Sequence, residues 1–143
     1  MSRHTTVALK NDLAELERLS NVVDEFGKRH GLPTTALFDL HLALDEILTN
    51  VVAYGYDDQD EHEIIVRLAF GGDGDSQRIE VEVEDDGRPF NPLETASPDV
   101  KTPVEDRPIG GLGIFLVRRV MEDLEYRRQR GKNVLVMRKT LAG

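Results

Sequence analysis

Apolar residues recur every third or fourth position through most of the first third of the chain and every second position in two later runs, "EIIVRLAF" and "QRIEVEVED". Leu13, Leu16, Leu19, Val22, Val23 and Phe26 lie at helical spacing, and Asn11 or Asp12 can cap the start of that helix. Gly31 and Pro33 break the pattern. A second helix is predicted from about Thr34 to Tyr54, with Thr34 or Thr35 at its N-cap. Leu40, Leu44, Ile47, Leu48 and Val51 form its apolar side. Ahead of both helices "TTVALK", residues 5–10, is β-branched and weakly alternating, a short first strand. "EIIVRLAF" and "QRIEVEVED" are strand-patterned and joined by "GGDGDS", a hairpin. Ile79, Val81 and Val83 point one way and Glu80, Glu82 and Glu84 the other, so one side of this sheet is buried and the other wet. From Arg88 to Pro108 the periodicity dissolves, and this stretch holds Pro89, Pro92, Pro98, Pro103 and Pro108 of the chain's 6 prolines. A loop of this length inside a compact domain is functional or disordered. "GGLGIFLVRRVMEDL" resumes helical spacing, and "EYRRQR" and "NVLVMRKTL" form a closing hairpin across Gly131. The order of elements predicts one domain, residues 1–143, of the α+β class: a two-layer sandwich with helices on one face of a mixed, mostly antiparallel sheet.

Composition narrows the function classes. At 39% hydrophobic residues over 143 positions, the chain has enough apolar mass for one real core. The formal charge, 18 − 27 = −9, repels nucleic-acid phosphates. The basic cluster "RRQR", Arg127 to Arg130, is too short to make a compensating stripe, so direct nucleic-acid binding is not expected. With no cysteine there is neither a disulfide nor thiolate chemistry. No apolar run is long enough to span a membrane, and "MSRHTTVALK" has no apolar signal-like region, which makes a cytoplasmic setting the expectation.

Three stretches carry candidate chemistry. In "HLALDEILTN", Glu46 and Asn50 are four residues apart and so stack on one side of a helix, roughly opposite its apolar side. The plain alternative is an exposed pair without a role. The chemical one is that Asn50 offers a neutral oxygen to a hard cation such as Mg²⁺, and Glu46 accepts a proton from an attacking hydroxyl. In "VEVEDDGRPFNP", Asp85 ends an alternating strand and Gly87 follows two residues later. This is either an ordinary strand-end turn or a carboxylate aimed into a pocket where it accepts from an exocyclic amine such as that of adenine, with Gly87 admitting close backbone approach. In "IGGLGIFLV", Gly110, Gly111 and Gly113 sit at the start of an apolar helix. They make either a hinge or a helix tip whose free N–H groups favour phosphate. The spacing is neither a P-loop nor the dinucleotide G-x-G-x-x-G pattern.

In this order, "LDEILTNVVAYGY", "DDGRPFNP" and "GGLGIFLVRRVMEDLEY" resemble the N-box and the two glycine boxes of the GHKL superfamily, the Bergerat-fold ATP-binding domains. The short layout, the "DxGxPF" form and the "GGLGIFLV" form most resemble the anti-sigma-factor serine/threonine protein kinases. The resemblance implies ATP and Mg²⁺ as ligands. It implies Glu46 as catalytic base, Asn50 as Mg²⁺ ligand and Asp85 with Gly87 as the adenine reader. Gly110, Gly111, Leu112 and Gly113 become the phosphate-facing helix start, and residues 93–108 an ATP lid with Arg107 near its end. It also implies two protein partners, a small anti-anti-sigma antagonist that is phosphorylated and a sigma factor that is sequestered, together with homodimer formation. Ala53 and Tyr54 stand where many relatives carry a basic pair, and Arg88 and Pro89 where the superfamily often keeps a further glycine. The rival implied reading is a nucleotide-binding interaction module of weak or absent catalytic power.

Overall fold

A computed structural model describes residues 3–72, 77–89, 91 and 111–141, with only the backbone of residues 111–115. The predicted lid at 93–108, Arg107 and Gly110 lie outside the described residues. The elements run β1 (His4–Lys10), α1 (Glu15–His30), α2 (Thr34–Tyr54), β2 (Glu63–Gly71), β3 (Arg78–Asp85), α3 (Gly111–Val120), β4 (Asp123–Gln129) and β5 (Lys132–Thr140). The five strands form one sheet in the order β1-β2-β3-β5-β4, antiparallel at every described pairing.

The alternation read along β3 decides which side of the sheet is covered. Ile79, Val81 and Val83 are buried, as are Val7 and Leu9 of β1, Ile64, Val66 and Leu68 of β2, and Leu135 and Met137 of β5. Against this face pack Leu19, Val23 and Phe26 of α1, Leu40, Leu44, Ile47 and Leu48 of α2, and Val117 of α3. Fully burying one such side chain contributes roughly 1.5–3 kcal/mol. Register turns the alternation into rows. One row runs Val7, Val66, Val83, Leu135, Tyr126, and the next runs Leu9, Ile64, Asp85, Asn133, Arg128. The second row begins apolar and ends with three polar residues, and the candidate functional site lies around them.

The opposite face carries Glu80, Glu82 and Glu84 as expected, and they are paired. Arg67 meets Glu82 at 2.7 Å, Arg127 meets Glu82 at 3.6 Å and Lys132 meets Glu84 at 3.5 Å. On the same face the register sets Val134 beside Glu84 and Arg127 and Val136 beside Glu82 and Glu125, and both valines are buried, 4% and 1% exposed, although outside the main core. Arg127 and Arg128, adjacent in the basic cluster, therefore leave on opposite faces of β4, one to the ion-pair ladder and one to the site.

Several boundaries differ from expectation. α1 begins at Glu15, and residues 11–14 form a turn in which Asp12 Oδ1 accepts the Ala14 N–H at 3.0 Å. Leu13, counted on the apolar helix face, is thus 51% exposed. α2 has the expected bounds, but Pro33 occupies its N-cap position without a side-chain cap, rather than Thr34 or Thr35. The helical spacing read through Leu124 stops at Val120, and Leu124 reaches the core as a strand residue of β4. A four-residue spacing at a helix end also fits the start of an alternating strand, and only pairing with β5 separates the two.

Candidate functional site

Asp85 closes β3 on the buried face and is 5% exposed. Its Oδ1 accepts two hydrogen bonds, from the Gly87 N–H at 2.9 Å and from Asn133 Nδ2 at 2.9 Å. Its Oδ2 takes no hydrogen bond among the described residues. Burial pushes the Asp85 carboxyl above the usual carboxylate range, against the two hydrogen bonds that favour its charged form. The neighbouring Asp86 raises it further, while Arg128 lowers it.

Gly87 is required by space. A Cβ there would stand 2.2 Å from the backbone oxygen of Gly55, in the turn that ends α2. The same Gly55 oxygen accepts the Arg88 N–H at 2.8 Å, so the turn after β3 is bonded to the turn after α2. Arg88, a departure from the superfamily pattern, donates from Nε to Tyr54 O at 2.7 Å and places a cation at the negative end of α2.

Asn50 lies on α2, one helical step from the buried Val51, and is itself 4% exposed. Glu46, one turn earlier, is half-buried. The expectation that both project opposite the apolar side is corrected: Asn50 sits at the margin of the buried arc beside Ala43, and Glu46 one step further out. The arc is wider than the leucine pattern indicates because Ala36 and Ala43 also pack inward. The Oδ1 atom of Asn50 is buried and has no hydrogen-bond partner among the described residues. Such an orphaned neutral oxygen suits a hard cation. No group of three acidic, histidine or cysteine side chains among the described residues is arranged to hold a metal. A divalent ion here would therefore depend on Asn50 together with anionic oxygens from a ligand, as Mg²⁺ commonly does.

Between these elements lies a cavity of about 10 Å³ lined by Ile47 and Val51 of α2, Val83 and Asp85 of β3, Tyr126 of β4, and Asn133 and Leu135 of β5. That is about one water's volume, so a purine must lie at its mouth or displace a lining side chain. Tyr56, just after α2, has a buried hydroxyl without a partner among the described residues, and burial with the nearby aspartates raises its pKa. Its ring stacks on His62, which is held between Asp58 at 2.7 Å and Asp86 at 3.1 Å.

The fold brings Asp85 and Gly87 together with the C-terminal half of α2, which carries Glu46 and Asn50. Gly111, Leu112 and Gly113 form the head of α3, and α3 packs against α2. Sequence reasoning missed Asn133, Tyr126, Arg128 and Gly55. The available signal was Asn133 itself, a lone amide beginning the apolar run "NVLVM".

An antiparallel sheet covered on one face by helices, with a glycine-flanked aspartate at a central strand end opposite an amide-bearing helix, defines a nucleotide-site architecture of the histidine kinase type. The chain matches the histidine kinase-like ATPase domain over residues 9–139 and belongs to that family. It is 32% identical over 132 residues to the serine-protein kinase RsbW of Listeria monocytogenes serotype 4a, covering 89% of this chain and 80% of that protein. It is 32% identical over 112 residues to the serine-protein kinase RsbW of Bacillus mycoides, covering 76% of this chain and 67% of that protein. In fold it is similar to the solved RsbU and RsbW domains of a Mycobacterium tuberculosis protein, with TM-score 0.69 at 16% identity, covering 98% of this chain and 33% of that one. The expected GHKL-type α+β fold and the resemblance to anti-sigma kinases are thereby borne out. No helix among the described residues is long and apolar enough to cross a membrane.

Proposed function

We propose that the chain is a single-domain, ATP-dependent serine/threonine protein kinase that acts as an anti-sigma switch. The observation that carries the reading is two buried polar groups on neighbouring elements: Asp85, which lines the cavity at the end of β3, and Asn50 on α2, whose neighbours Ile47 and Val51 line that cavity. Asp85 has one oxygen held by Gly87 and Asn133, and neither its other oxygen nor the buried Asn50 oxygen of α2 has a hydrogen-bond partner among the described residues. Asp85 accepts the exocyclic amine of adenine, and Gly87 allows the backbone to approach the base. Asn50 would ligate Mg²⁺, whose charge, when bound, offsets that of the phosphates. Gly110, Gly111, Leu112 and Gly113, the glycine-rich run that leads into α3 in the sequence, would offer backbone N–H groups to the phosphates. Glu46 takes the proton of a serine or threonine hydroxyl as that oxygen bonds to the γ-phosphorus and the bond to ADP breaks. Positioning and electrostatic stabilisation supply most of the catalysis.

The phosphorylated protein is a small anti-anti-sigma antagonist, and the alternative partner is a sigma factor held by protein contact. Competition between the two, biased by ATP against ADP, sets the switch. The protein acts in the cytoplasm, as a homodimer.

The second reading, a nucleotide-binding interaction module of little catalytic power, is favoured by Ala53 and Tyr54, which leave the end of α2 without a basic pair. Incubation with labelled ATP, Mg²⁺ and candidate antagonists encoded beside the gene separates the two. Transfer that vanishes in Glu46→Ala while ATP still binds supports the kinase. Nucleotide binding with no transfer to any of them supports the module.

A further inference from the structure

Three residues of the closing hairpin, absent from the sequence reading of the site, converge on Asp85. Asn133 stands opposite Asp85 in the β3–β5 register, and Arg128 stands opposite Asn133 in the β5–β4 register. Asn133 is 4% exposed and its amide is fully engaged toward the site. One N–H goes to Asp85 Oδ1 at 2.9 Å and the other to Arg88 O at 2.8 Å. Its oxygen accepts from the Tyr126 hydroxyl and from Arg128 Nη1 at 3.2 Å. Arg128 Nη1 also donates to Gly87 O at 2.8 Å, which ties the glycine turn to the same network.

A carboxylate at a strand end can rotate, and burial favours its neutral form. Either event changes what it presents to a base. A fixed carboxylate with one oxygen saturated offers a lone pair at the other, which suits a 6-amino purine and repels the 6-oxo group of guanine. A neutral carboxyl offers a hydroxyl and loses that discrimination.

Resting on the nucleotide-site reading above, we infer that Asn133 is a positioning residue for base selectivity: braced by Tyr126 and Arg128, it occupies Asp85 Oδ1 and turns Oδ2 toward a 6-amino purine. The network also opposes the burial that raises the proton affinity of Asp85, and the hydrogen bond from Asn133 is the largest influence lowering it. Among the described residues, the other charged or titratable groups facing Asp85 are Asp86 beside it, Arg128 and Tyr126 from β4, and Tyr56 beyond α2.

The test is calorimetric titration of the full chain with ADP and GDP across acid to neutral pH, for the wild type, Asn133→Leu and Asn133→Ser. In Asn133→Leu, ADP affinity falls about tenfold or more and the ADP-over-GDP ratio falls by a similar factor, the scale expected when a bond to a charged group is lost. The acid limb of ADP binding moves to higher pH. Asn133→Ser, which keeps a short donor, recovers part of both. Unchanged affinity, ratio and acid limb in the leucine variant would overturn the inference. So would a loss equal for both nucleotides with the acid limb unmoved, which marks a packing role alone. A wild type that binds neither nucleotide removes the nucleotide reading itself, a different failure. Should the leucine variant not fold, the wild type decides by NMR. The Asn133 side-chain amide resonances must follow the titration of the Asp85 carboxyl and shift on ADP addition, and resonances indifferent to both refute the role.

Discussion

Replacing Asp85 by asparagine separates what the fold needs from what the site needs. The side chains are nearly isosteric, so the carboxamide oxygen can stay on the Gly87 N–H and Asn133 Nδ2 while the new amide nitrogen turns to the open position. A donor then faces the exocyclic amine of adenine, itself a donor. Loss of a hydrogen bond to a charged partner costs about 1.5–3 kcal/mol, roughly a 10- to 150-fold loss of ATP affinity. The fold responds in the other direction. Burial raises the folded-state pKa of Asp85 above its unfolded value, so the folded chain binds that proton more tightly than the unfolded one. The contribution of Asp85 to stability is therefore most favourable below the unfolded pKa and declines as pH rises through the folded one. At neutral pH the ionised group is a net cost that Asp85→Asn removes. Urea unfolding at neutral pH is expected to give the variant a midpoint equal to or above the wild type, with the gap closing in acid. Calorimetry on the same samples should show weakened ATP binding. A variant that binds ATP at wild-type strength, or loses affinity only because it is destabilised, refutes the assignment.

Gly87→Ala drives a Cβ to within 2.2 Å of the Gly55 oxygen; because that atom is backbone, the two turns must part, at a cost of about 1–3 kcal/mol in urea melts and with weaker nucleotide binding. Asn50→Ala removes a buried oxygen that has no partner among the described residues, so thermal stability should change little, while ATP affinity becomes insensitive to Mg²⁺ and to chelator; a large fall in Tm with Mg²⁺ dependence intact would count against the ligand role. His62 is raised above the ordinary histidine range first by its hydrogen bond to Asp58, with Asp86 adding to it. The stability it contributes is complete below about pH 6.5, the unfolded value, and is lost as pH rises through the folded one. The Tm difference between wild type and His62→Gln should therefore shrink from mildly acidic to alkaline pH, and a difference independent of pH would refute the ion pairing.

Much of this architecture is legible along the chain. The period-two runs at Ile64–Leu68 and Ile79–Val83 mark strands and the face they bury, and α2 has the bounds its periodicity predicts. These features are local: they depend on side-chain spacing within one element. Glu46, Asn50, Asp85 and Gly87 were also legible, because each stands out against its own element. Asn50 shows the limit, since its burial depends on where the sheet lies beneath α2, which the helix alone does not say.

The sequence by itself determined the elements, the wet and dry sides of the hairpin, and the residue types available for binding. Only the tertiary structure decided that β5 lies between β3 and β4, and that Asn133 meets an aspartate 48 positions away. Strand order and register are set by long-range pairing, where a slip of one residue would send Asn133 to the ion-pair face and a valine to Asp85. No local periodicity encodes that choice; the packing of the whole buried face does.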